Sequence, residues 1–206
     1  KLDEQMALLV QRVSGSHRNH YFFPDIAGVG LSFNVYVWNE QLDPKSGMLR
    51  AVFGLGTRAV NRVDGDYPRM VALDAPLRRP YAETEDLRKF SQHQVDVINT
   101  RRNILDTIPF EGLIAEKIEI ELDRVAIRDD EAASLMKARN ASPKEYWILT
   151  LDSLFSAPAI VDAFKKILQV LERIYQYILV YTALLFYCIQ RLYELGIHLF
   201  ISFLKI

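Results

Sequence analysis

Apolar residues are distributed unevenly along this chain. Over residues 1–173, charged side chains are interspersed with apolar ones, a pattern that is typical of a folded domain in water. The run Ile174–Gln190 then continues for 17 residues without a charge. A helix that spans a bilayer needs about 20 predominantly apolar residues, whereas this run is shorter and contains Gln176 and Thr182. The pattern favours a helix buried against protein, and membrane contact through this tail is the less favoured alternative.

The first third of the chain shows the periodicity of β-strands. Met6–Val13 is a short apolar run and Val29–Trp38 alternates in part, so both segments are predicted to be strands. Leu42–Gly47 has the composition of a turn, and Met48–Phe53 after it is predicted to be the partner strand of a hairpin. A further strand and turn are predicted within Val63–Leu73. Together these segments predict an antiparallel sheet.

Helical spacing dominates the rest of the chain. Apolar residues recur at helical intervals in Thr84–Asn103, and Asp129–Arg139 begins with acidic residues that favour a helix N-terminus. A further helix is predicted to begin near Pro158 with Ser156 as its N-cap. Ile114–Val125 alternates acidic and apolar residues, which predicts an edge strand instead. The chain is therefore expected to be a mixed α+β protein with flanking helices and an apolar helical tail.

Composition and charge narrow the functional classes. The 206 residues allow one domain, or one and a part. Because 25 basic and 26 acidic residues give a net charge of −1, the basic field typical of nucleic-acid binding is absent, and no nucleic-acid partner is predicted. The single cysteine, Cys188, excludes an intramolecular disulfide and a multi-cysteine zinc site. With no secretory pattern at the start, a cytoplasmic protein is expected.

Local motifs give few candidates for chemistry. His17 and His20 are three residues apart, but no third ligand stands at helical spacing, so surface histidines are the favoured interpretation. The acidic start of Asp129–Arg139 is explained by a solvated helix terminus. Cys188 lies in an apolar stretch that favours a structural thiol over a nucleophile. No catalytic residue and no metal ligand are predicted from these motifs.

A glycine turn, Gly54-Leu55-Gly56, follows an apolar strand and precedes Arg58. Glycines in such a turn let backbone N–H groups approach a phosphate closely, and Arg58 would add positive charge. The motif is neither a Walker loop nor a complete dinucleotide fingerprint. Two interpretations therefore stay open, a phosphate-binding loop and a tight turn after a strand.

Several stretches in order carry a more specific signal. They are LLVQRV (residues 8–13), YFFPDIAGVGLSFN (21–34), LDPKSGMLRAVFGLGTRAVNR (42–62) and GDYPRMVAL (65–73), followed by YWILTLDSLFS (146–156) and FKKILQVLERIYQY (164–177). Together they resemble the PEP/pyruvate-binding, ATP-grasp domain of the phosphoenolpyruvate synthase and pyruvate, phosphate dikinase family. The resemblance covers about residues 5–177. It assigns residues 1–177 to a partial ATP-grasp domain and leaves 178–206 as an apolar tail of divergent sequence.

The resemblance implies a fold and an activity. The fold would be an ATP-grasp, in which two α+β lobes enclose the nucleotide. The family transfers phosphate from ATP to a histidine on a separate domain and from there to pyruvate, so ATP and Mg²⁺ are the implied cofactors. By resemblance, Gln11, Arg12 and Val13 match the stretch beside the adenine, and the glycine turn lies beside the site. The predicted nucleotide-binding residues are Gln11, Arg12, Val13, Gly54, Leu55 and Gly56.

The chain departs from the family pattern at both ends. The G-G-K-x-x-x-L and S-x-R-S motifs, which supply phosphate-binding Lys and Arg, do not occur before residue 5. The P-V-D-I-E-F and L-Q-x-R motifs, which supply metal-binding carboxylates and another Arg, do not follow Tyr177. Truncation or a frame change near Tyr177 is the favoured explanation, and a genuine helical element that engages protein or membrane is the alternative.

These departures bear on catalysis. A single transition-state cation of this kind can contribute about 10³–10⁵ in rate. We therefore expect a phosphotransferase fragment that carries only the nucleotide-binding core and is not catalytic alone. Its implied partners are ATP and the missing parts of the parent enzyme, or a separate chain that supplies them. The alternative is a non-enzymatic scaffold, or a module that binds a partner or a membrane through the apolar tail.

Overall fold

Antiparallel sheets form the β part of the fold. The computed structural model describes residues 10, 12–61, 63, 65–80, 84–130, 134 and 146–194. The first sheet has the order β1-β2-β6-β7, the second β3-β4-β5 and the third β8-β9. The strands are β1 (Ser16–Arg18), β2 (Tyr21–Phe23), β3 (Ala27–Leu31), β4 (Met48–Val52), β5 (Arg69–Ala72), β6 (Gln94–Asn99), β7 (Ile104–Pro109), β8 (Ala126–Arg128) and β9 (Trp147–Leu149).

Five short α-helices, one long α-helix and a 3₁₀-helix at Pro44–Ser46 complete the described elements. The α-helices are α1 (Thr57–Val60), α2 (Thr84–Lys89), α3 (Phe110–Ala115), α4 (Leu122–Val125), α5 (Asp152–Phe155) and α6 (Pro158–Glu194). The predicted α+β class with antiparallel sheets and flanking helices is thus confirmed. Within the described residues, no helix combines the length and the apolar character needed to cross a bilayer.

The predicted hairpin forms between β3 and β4. Its register pairs Ala27 with Val52 and Leu31 with Met48. The predicted strand Val29–Trp38 ends early, however, because Asn34 turns the backbone away from the sheet. The N–H of Asn34 donates to the carbonyl of Pro44 at 2.7 Å, and its Oδ1 accepts the N–H of Tyr36 at 3.0 Å. An Asx turn of this kind competes with the strand ladder.

Two other predictions of secondary structure are wrong. Thr84–Asn103 is helical only at α2 and continues as strand β6, in which Val95 and Val97 are fully buried at strand spacing. Ile114–Val125 is not a strand, because it contains the end of α3 and the whole of α4. Lys117 adopts φ 53° and so ends α3. In Thr84–Asn103, burial of Val95 and Val97 in the sheet overrode the local polar pattern.

The predicted strand Met6–Val13 and the predicted helix Asp129–Arg139 lie only partly within the described residues. Of the predicted strand Met6–Val13, the described residues Val10, Arg12 and Val13 lie outside any strand, and Val10 is 91% exposed. This corrects the prediction for those residues, because a buried strand would cover them. The other residues of that segment, including Gln11, lie outside the described part, as does most of the predicted helix Asp129–Arg139.

The start of α6 at Pro158 is confirmed, but the predicted N-cap is wrong. The Ser156 hydroxyl donates to the carbonyl of Ser153 at 2.8 Å instead of accepting from the helix. The carbonyl of Ala157 accepts the first N–H groups of α6. Ser156 instead ends the preceding helix, α5.

An aromatic contact joins the elements of the core. The ring of Phe53 packs edge-on against Phe23 at 5.4 Å and against Phe110 at 5.8 Å. The buried Gln92 side chain pairs with the backbone of Phe53, accepting its N–H at 2.8 Å and donating to its carbonyl at 2.7 Å. This amide satisfies a buried peptide that has no strand neighbour there. The glycine turn that follows Phe53 is thereby held beside β6.

The first four turns of helix α6 lie against the body. Val161 and Leu168 are buried there. Leu168 packs against Gly30 of β3, where a Cβ atom would lie only 2.8 Å from Cδ2 of Leu168. Glu172 accepts a hydrogen bond from Ser32 at 2.7 Å. Beyond this point the described side chains are exposed, so the prediction that the apolar tail is buried against protein is wrong for them.

Candidate functional site

The glycine turn lies against strand β6. Gly54 has φ 90°, and a Cβ there would lie 2.5 Å from Cγ1 of Val95 and 2.8 Å from the carbonyl oxygen of Asp96. The N–H of Gly54 donates to the backbone carbonyl of Pro24 at 3.2 Å, and the N–H of Leu55 donates to the backbone carbonyl of Asp96 at 2.9 Å. Glycine is therefore needed for close packing, and these two amides are already paired. The geometry favours the tight turn over an N–H cradle for phosphate.

The carboxylate of Asp96 organises the residues just after this turn. It accepts hydrogen bonds from the hydroxyls of Thr57 and Thr107 at 2.5 and 2.7 Å and from Nε of Arg58 at 2.9 Å. Burial alone would raise the pKa of Asp96, but the hydrogen bonds from Thr57, Thr107 and Arg58 outweigh burial and hold the pKa below its ordinary value. Asp96 is thus a charged anchor that joins α1 to β6 and β7.

Arg58 lies between two carboxylates. Besides Asp96, its guanidinium pairs with Asp66, whose carboxylate also accepts the backbone N–H groups of His93 and Gln94. The side chain of Arg58 is 11% exposed. One cation shared by two anions leaves this cluster with an excess negative charge. The interpretation that Arg58 adds positive charge for a phosphate is therefore not supported.

The other predicted nucleotide-binding residues contribute little to this geometry. Arg12 and Val13 are exposed and lie in irregular backbone, and Gln11 lies outside the described residues. The structure gives no hydrogen bond between Arg12 or Val13 and the glycine turn. The assignment of these three residues, and of Gly54, Leu55 and Gly56, to a nucleotide site stays a prediction.

A second feature, which we call the arginine cleft, has a volume of about 900 Å³. Residues of α1, β4, β5 and α2 line it. Its charged lining consists of Arg50, Arg69 and Arg79 and of two carboxylates, Asp66 and Asp86. The aromatic rings of Tyr67 and Phe90 line it as well. A cleft of this size falls in the range of about 300–1,000 Å³ that is usual for small-molecule and cofactor sites.

Arg69 is the most buried cation of the cleft. Its side chain is 6% exposed, and its guanidinium donates to the carbonyls of Met70 at 2.5 Å and Pro76 at 3.0 Å. The Nε atom has no hydrogen-bond partner among the described residues. Burial, and then the charge of Arg79, lower the pKa of Arg69 to about 10. Arg69 therefore remains charged at neutral pH.

Asp152 is the counter-ion of both buried arginines. Its Oδ1 lies 2.6 Å from Nη2 of Arg79 and 3.4 Å from Nη2 of Arg69. Leu151 adopts φ 56°, which directs the chain into α5 and places Asp152 in the first turn of that helix. Two guanidinium groups with one carboxylate leave an excess positive charge at this end of the cleft.

Arg50 adds a further cation. The Arg50 side chain has no hydrogen-bond or ion-pair partner among the described residues. In the same cleft, the rings of Tyr67 and Phe90 pack edge-on with their centres 5.3 Å apart. Guanidinium groups suit phosphates and carboxylates because they donate in a planar fork. The cleft thus combines cations for an anion with aromatic surface for an apolar or planar group.

No motif in the sequence pointed to this cleft. Arg69 belongs to the quoted stretch GDYPRMVAL, which carried the family resemblance but was given no role in a site. Asp152 likewise belongs to a quoted stretch, YWILTLDSLFS, without a role in a site, and Arg79 lies outside the quoted stretches. The contact of these residues depends on elements far apart in the chain, so the quoted stretches around Arg69 and Asp152 gave no sign that the two side chains meet.

The family implies Mg²⁺, and the described residues do not form a protein site for it. Within those residues, no group of three or more His, Cys, Asp or Glu side chains is arranged to hold a metal ion. Asp66 and Asp96 are already engaged by Arg58, and Asp152 by Arg69 and Arg79.

Comparison with known proteins identifies the family. The family model for the pyruvate phosphate dikinase AMP/ATP-binding domain matches residues 1–180. Searches of curated proteins and of solved structures found no match. The match covers most of the 206 residues and agrees with the resemblance of the ordered motifs. The chain belongs to the family of the AMP/ATP-binding domain of pyruvate phosphate dikinase.

Proposed function

We propose that this chain binds ATP in the arginine cleft, as the nucleotide-binding part of a dikinase-like phosphotransferase. The observation that carries the proposal is the uneven charge of the cleft. Arg69 and Arg79 share one carboxylate, and Arg50 has none among the described residues. Family membership supplies the ligand class, since the matched domain is an AMP/ATP-binding domain.

The charges support an orientation for the nucleotide. The phosphates would lie toward Arg50 and Arg79, where positive charge is in excess. Negative charge at the cluster of Arg58, Asp66 and Asp96, and at Asp86 in the same lining, would repel them. Because the cleft is only partly open to water, these charges are screened less than fully exposed ones.

The aromatic residues support a place for the base. Tyr67 and Phe90 present ring surface within the same cleft, and Val60 and Leu87 add apolar lining. Adenine needs an apolar slot with a few polar groups at its edge. Asn61, which follows α1 and also lines the cleft, offers an amide for that edge. In this arrangement the glycine turn acts indirectly, by holding α1 against β3 and β6.

The same geometry bears on phosphoryl transfer. Transfer depends mainly on cations placed around the reacting phosphate, whereas Arg58 is already neutralised by carboxylates. We propose that these 206 residues bind ATP without transferring its phosphate, and that other parts of the parent enzyme or a separate chain supply the missing groups. Mg²⁺ would then arrive with the nucleotide. An ATP-grasp architecture, the division at residue 177 and a cytoplasmic location belong to the same proposal.

Isothermal titration calorimetry with ATP, with and without Mg²⁺, tests this proposal. Replacing Arg50 by Ala removes a cation that has no structural partner among the described residues, so we expect the affinity for ATP to fall about tenfold with the fold intact. Arg124→Ala is the matched control, because it removes an arginine whose partner is the exposed Glu121. Absence of ATP binding, or equal loss in both variants, would refute the cleft as the site.

Two further measurements separate the alternatives. Arg12→Ala addresses the site predicted by family resemblance, and a loss of ATP affinity there, with none in Arg50→Ala, would favour that site over the cleft. Incubation with ATP labelled at its γ-phosphate, followed by measurement of released phosphate and labelled protein, tests catalysis. Turnover by the 206-residue chain would contradict the claim that it does not transfer phosphate.

A further inference from the structure

Helix α6 continues beyond the body with its apolar side chains uncovered. After Leu168, which is 8% exposed, the large apolar side chains that the structure describes are 44–71% exposed. These nine residues are Val170, Leu171, Ile174, Tyr175, Tyr177, Leu179, Val180, Tyr181 and Leu184. At about 1.5 Å per residue, the stretch from Leu168 to Leu184 is about 24 Å long.

The apolar positions of α6 follow a heptad. A row that starts in the core at Val161, Phe164 and Leu168 continues at alternating intervals of three and four through Leu171 and Tyr175. In the sequence it goes on to residues 178, 182, 185, 189 and 192, of which only Thr182 is polar. This 3-4 spacing is the pattern of helices that pack along one another with side chains interlocked.

A second apolar row widens that face. Val170, Ile174, Tyr177, Tyr181 and Leu184 lie beside the heptad row, whereas a polar stripe of Lys166, Gln169, Arg173 and Gln176 lies on the other side of the helix. A coiled-coil dimer needs only the narrow row, and a broader stripe is typical of a helix packed in a bundle. The occupant that fits this face is therefore one or more other helices.

We propose that the exposed part of α6 packs against α6 of further copies of this chain, so that the protein self-associates through a helical bundle. Eight of the nine exposed side chains lie on this apolar side of the helix, whereas Val180 lies in line with Lys166 and Arg173 on the polar stripe. The eight, each about half exposed and with roughly 150–200 Å² of surface, present on the order of 800 Å². A standard protein–protein interface takes about 800 Å² from each partner. The available surface is therefore sufficient for a stable contact.

Charge supports a second copy as the occupant. Residues 174–190 contain no charged side chain, so identical helices meet there without repulsion, and no charge pattern selects a different partner. A bilayer is the other apolar environment that would cover this face, and binding to vesicles is one of the outcomes that the experiment distinguishes. The proposal uses residues outside the arginine cleft, so it can fail or succeed independently of ATP binding.

Light scattering coupled to size-exclusion chromatography tests the proposal on the whole chain. The mass of one copy is 23.8 kDa. At micromolar concentration we expect a defined multiple of this mass. The double variant Leu171→Lys/Ile174→Lys places two charges on the apolar face and should return the mass to that of one copy. Circular dichroism then checks that the helix content of the variant is retained.

The matched control is Gln169→Lys/Gln176→Lys, which adds the same charge on the polar stripe and should keep the oligomer. A monomeric wild type across the concentration range would overturn the proposal. So would equal masses for the two double variants, or aggregates without a defined mass. Flotation with phosphatidylcholine/phosphatidylglycerol vesicles adds one more test, because a chain that is monomeric in water and binds vesicles through this face would assign it to lipid.

Discussion

Arg69 on β5 and Asp152 on α5 form an ion pair at 3.4 Å across 83 positions of sequence. Arg79 joins the same carboxylate at 2.6 Å. This contact ties the second sheet to the segment that leads into α6, and it also defines the charged end of the arginine cleft. The stability of the fold and the charge of the candidate site therefore depend on the same carboxylate.

Replacing Asp152 by Ala should destabilise the protein by about 1–3 kcal/mol, because it leaves two largely buried guanidinium groups without a counter-ion. Urea unfolding followed by circular dichroism measures the change. Asp130→Ala is the control, since its partner Arg128 and Asp130 itself are exposed and their pair should contribute under about 1 kcal/mol. Equal losses for both variants would contradict the structural role of Asp152.

Replacing Asp96 by Asn should lower the free energy of unfolding by about 2 kcal/mol at pH 7, because three hydrogen bonds to a charged acceptor are weakened. The pKa of Asp96 is lowered in the folded state, where hydrogen bonds overcome the effect of burial. The ionised form thus stabilises the fold above the ordinary carboxyl pKa, and this stabilisation is lost as the pH falls through the lowered folded pKa.

The wild type and Asp96→Asn should therefore differ less in stability as the solution is acidified below about pH 4. Urea unfolding at neutral pH and at several acidic values measures the difference at each pH. A difference that stays constant over this range would show that the carboxylate charge does not contribute.

Replacing Gly54 by Ala should cost more stability than replacing Gly65 by Ala. Both glycines have positive φ, 90° and 76°, so both substitutions bring backbone strain of about 1 kcal/mol or more. Only at Gly54 does the new Cβ also approach other atoms, at 2.5 Å from the Val95 side chain, while no described atom lies within 4 Å at Gly65. Thermal unfolding of the two variants compares them, and equal shifts in Tm would argue against close packing of the glycine turn.

Local patterns in the sequence were sufficient for elements whose partner is near in the chain. The β3–β4 hairpin was predicted because the turn residues of Leu42–Gly47 lie between its strands, and Pro158 marked the start of α6. Strand β6 was mistaken for helix because the residues around it are polar, although Val95 and Val97 are buried at strand spacing. Whether such a segment is strand or helix depends on the sheet that covers it.

The candidate site shows the same division. The glycine turn was visible in sequence, but its phosphate-binding interpretation depended on free N–H groups. The fold pairs two of these groups, those of Gly54 and Leu55, with carbonyls of Pro24 and Asp96. Likewise the sequence showed a cation at Arg58, whereas the fold surrounds it with Asp66 and Asp96. The sequence shows that a side chain is charged, but whether the side chain can bind a ligand depends on the residues around it in the fold.

The sequence by itself determined the family, the α+β class and the apolar helix at the C-terminal end, because ordered motifs and helical periodicity are properties of the chain. Only the tertiary structure decided which arginines are neutralised and which remain available. It brings Arg69, Arg79 and Asp152 together from distant segments and leaves the far part of α6 uncovered. Ion pairing and burial are relations between residues remote in sequence, so they arise only when the elements pack.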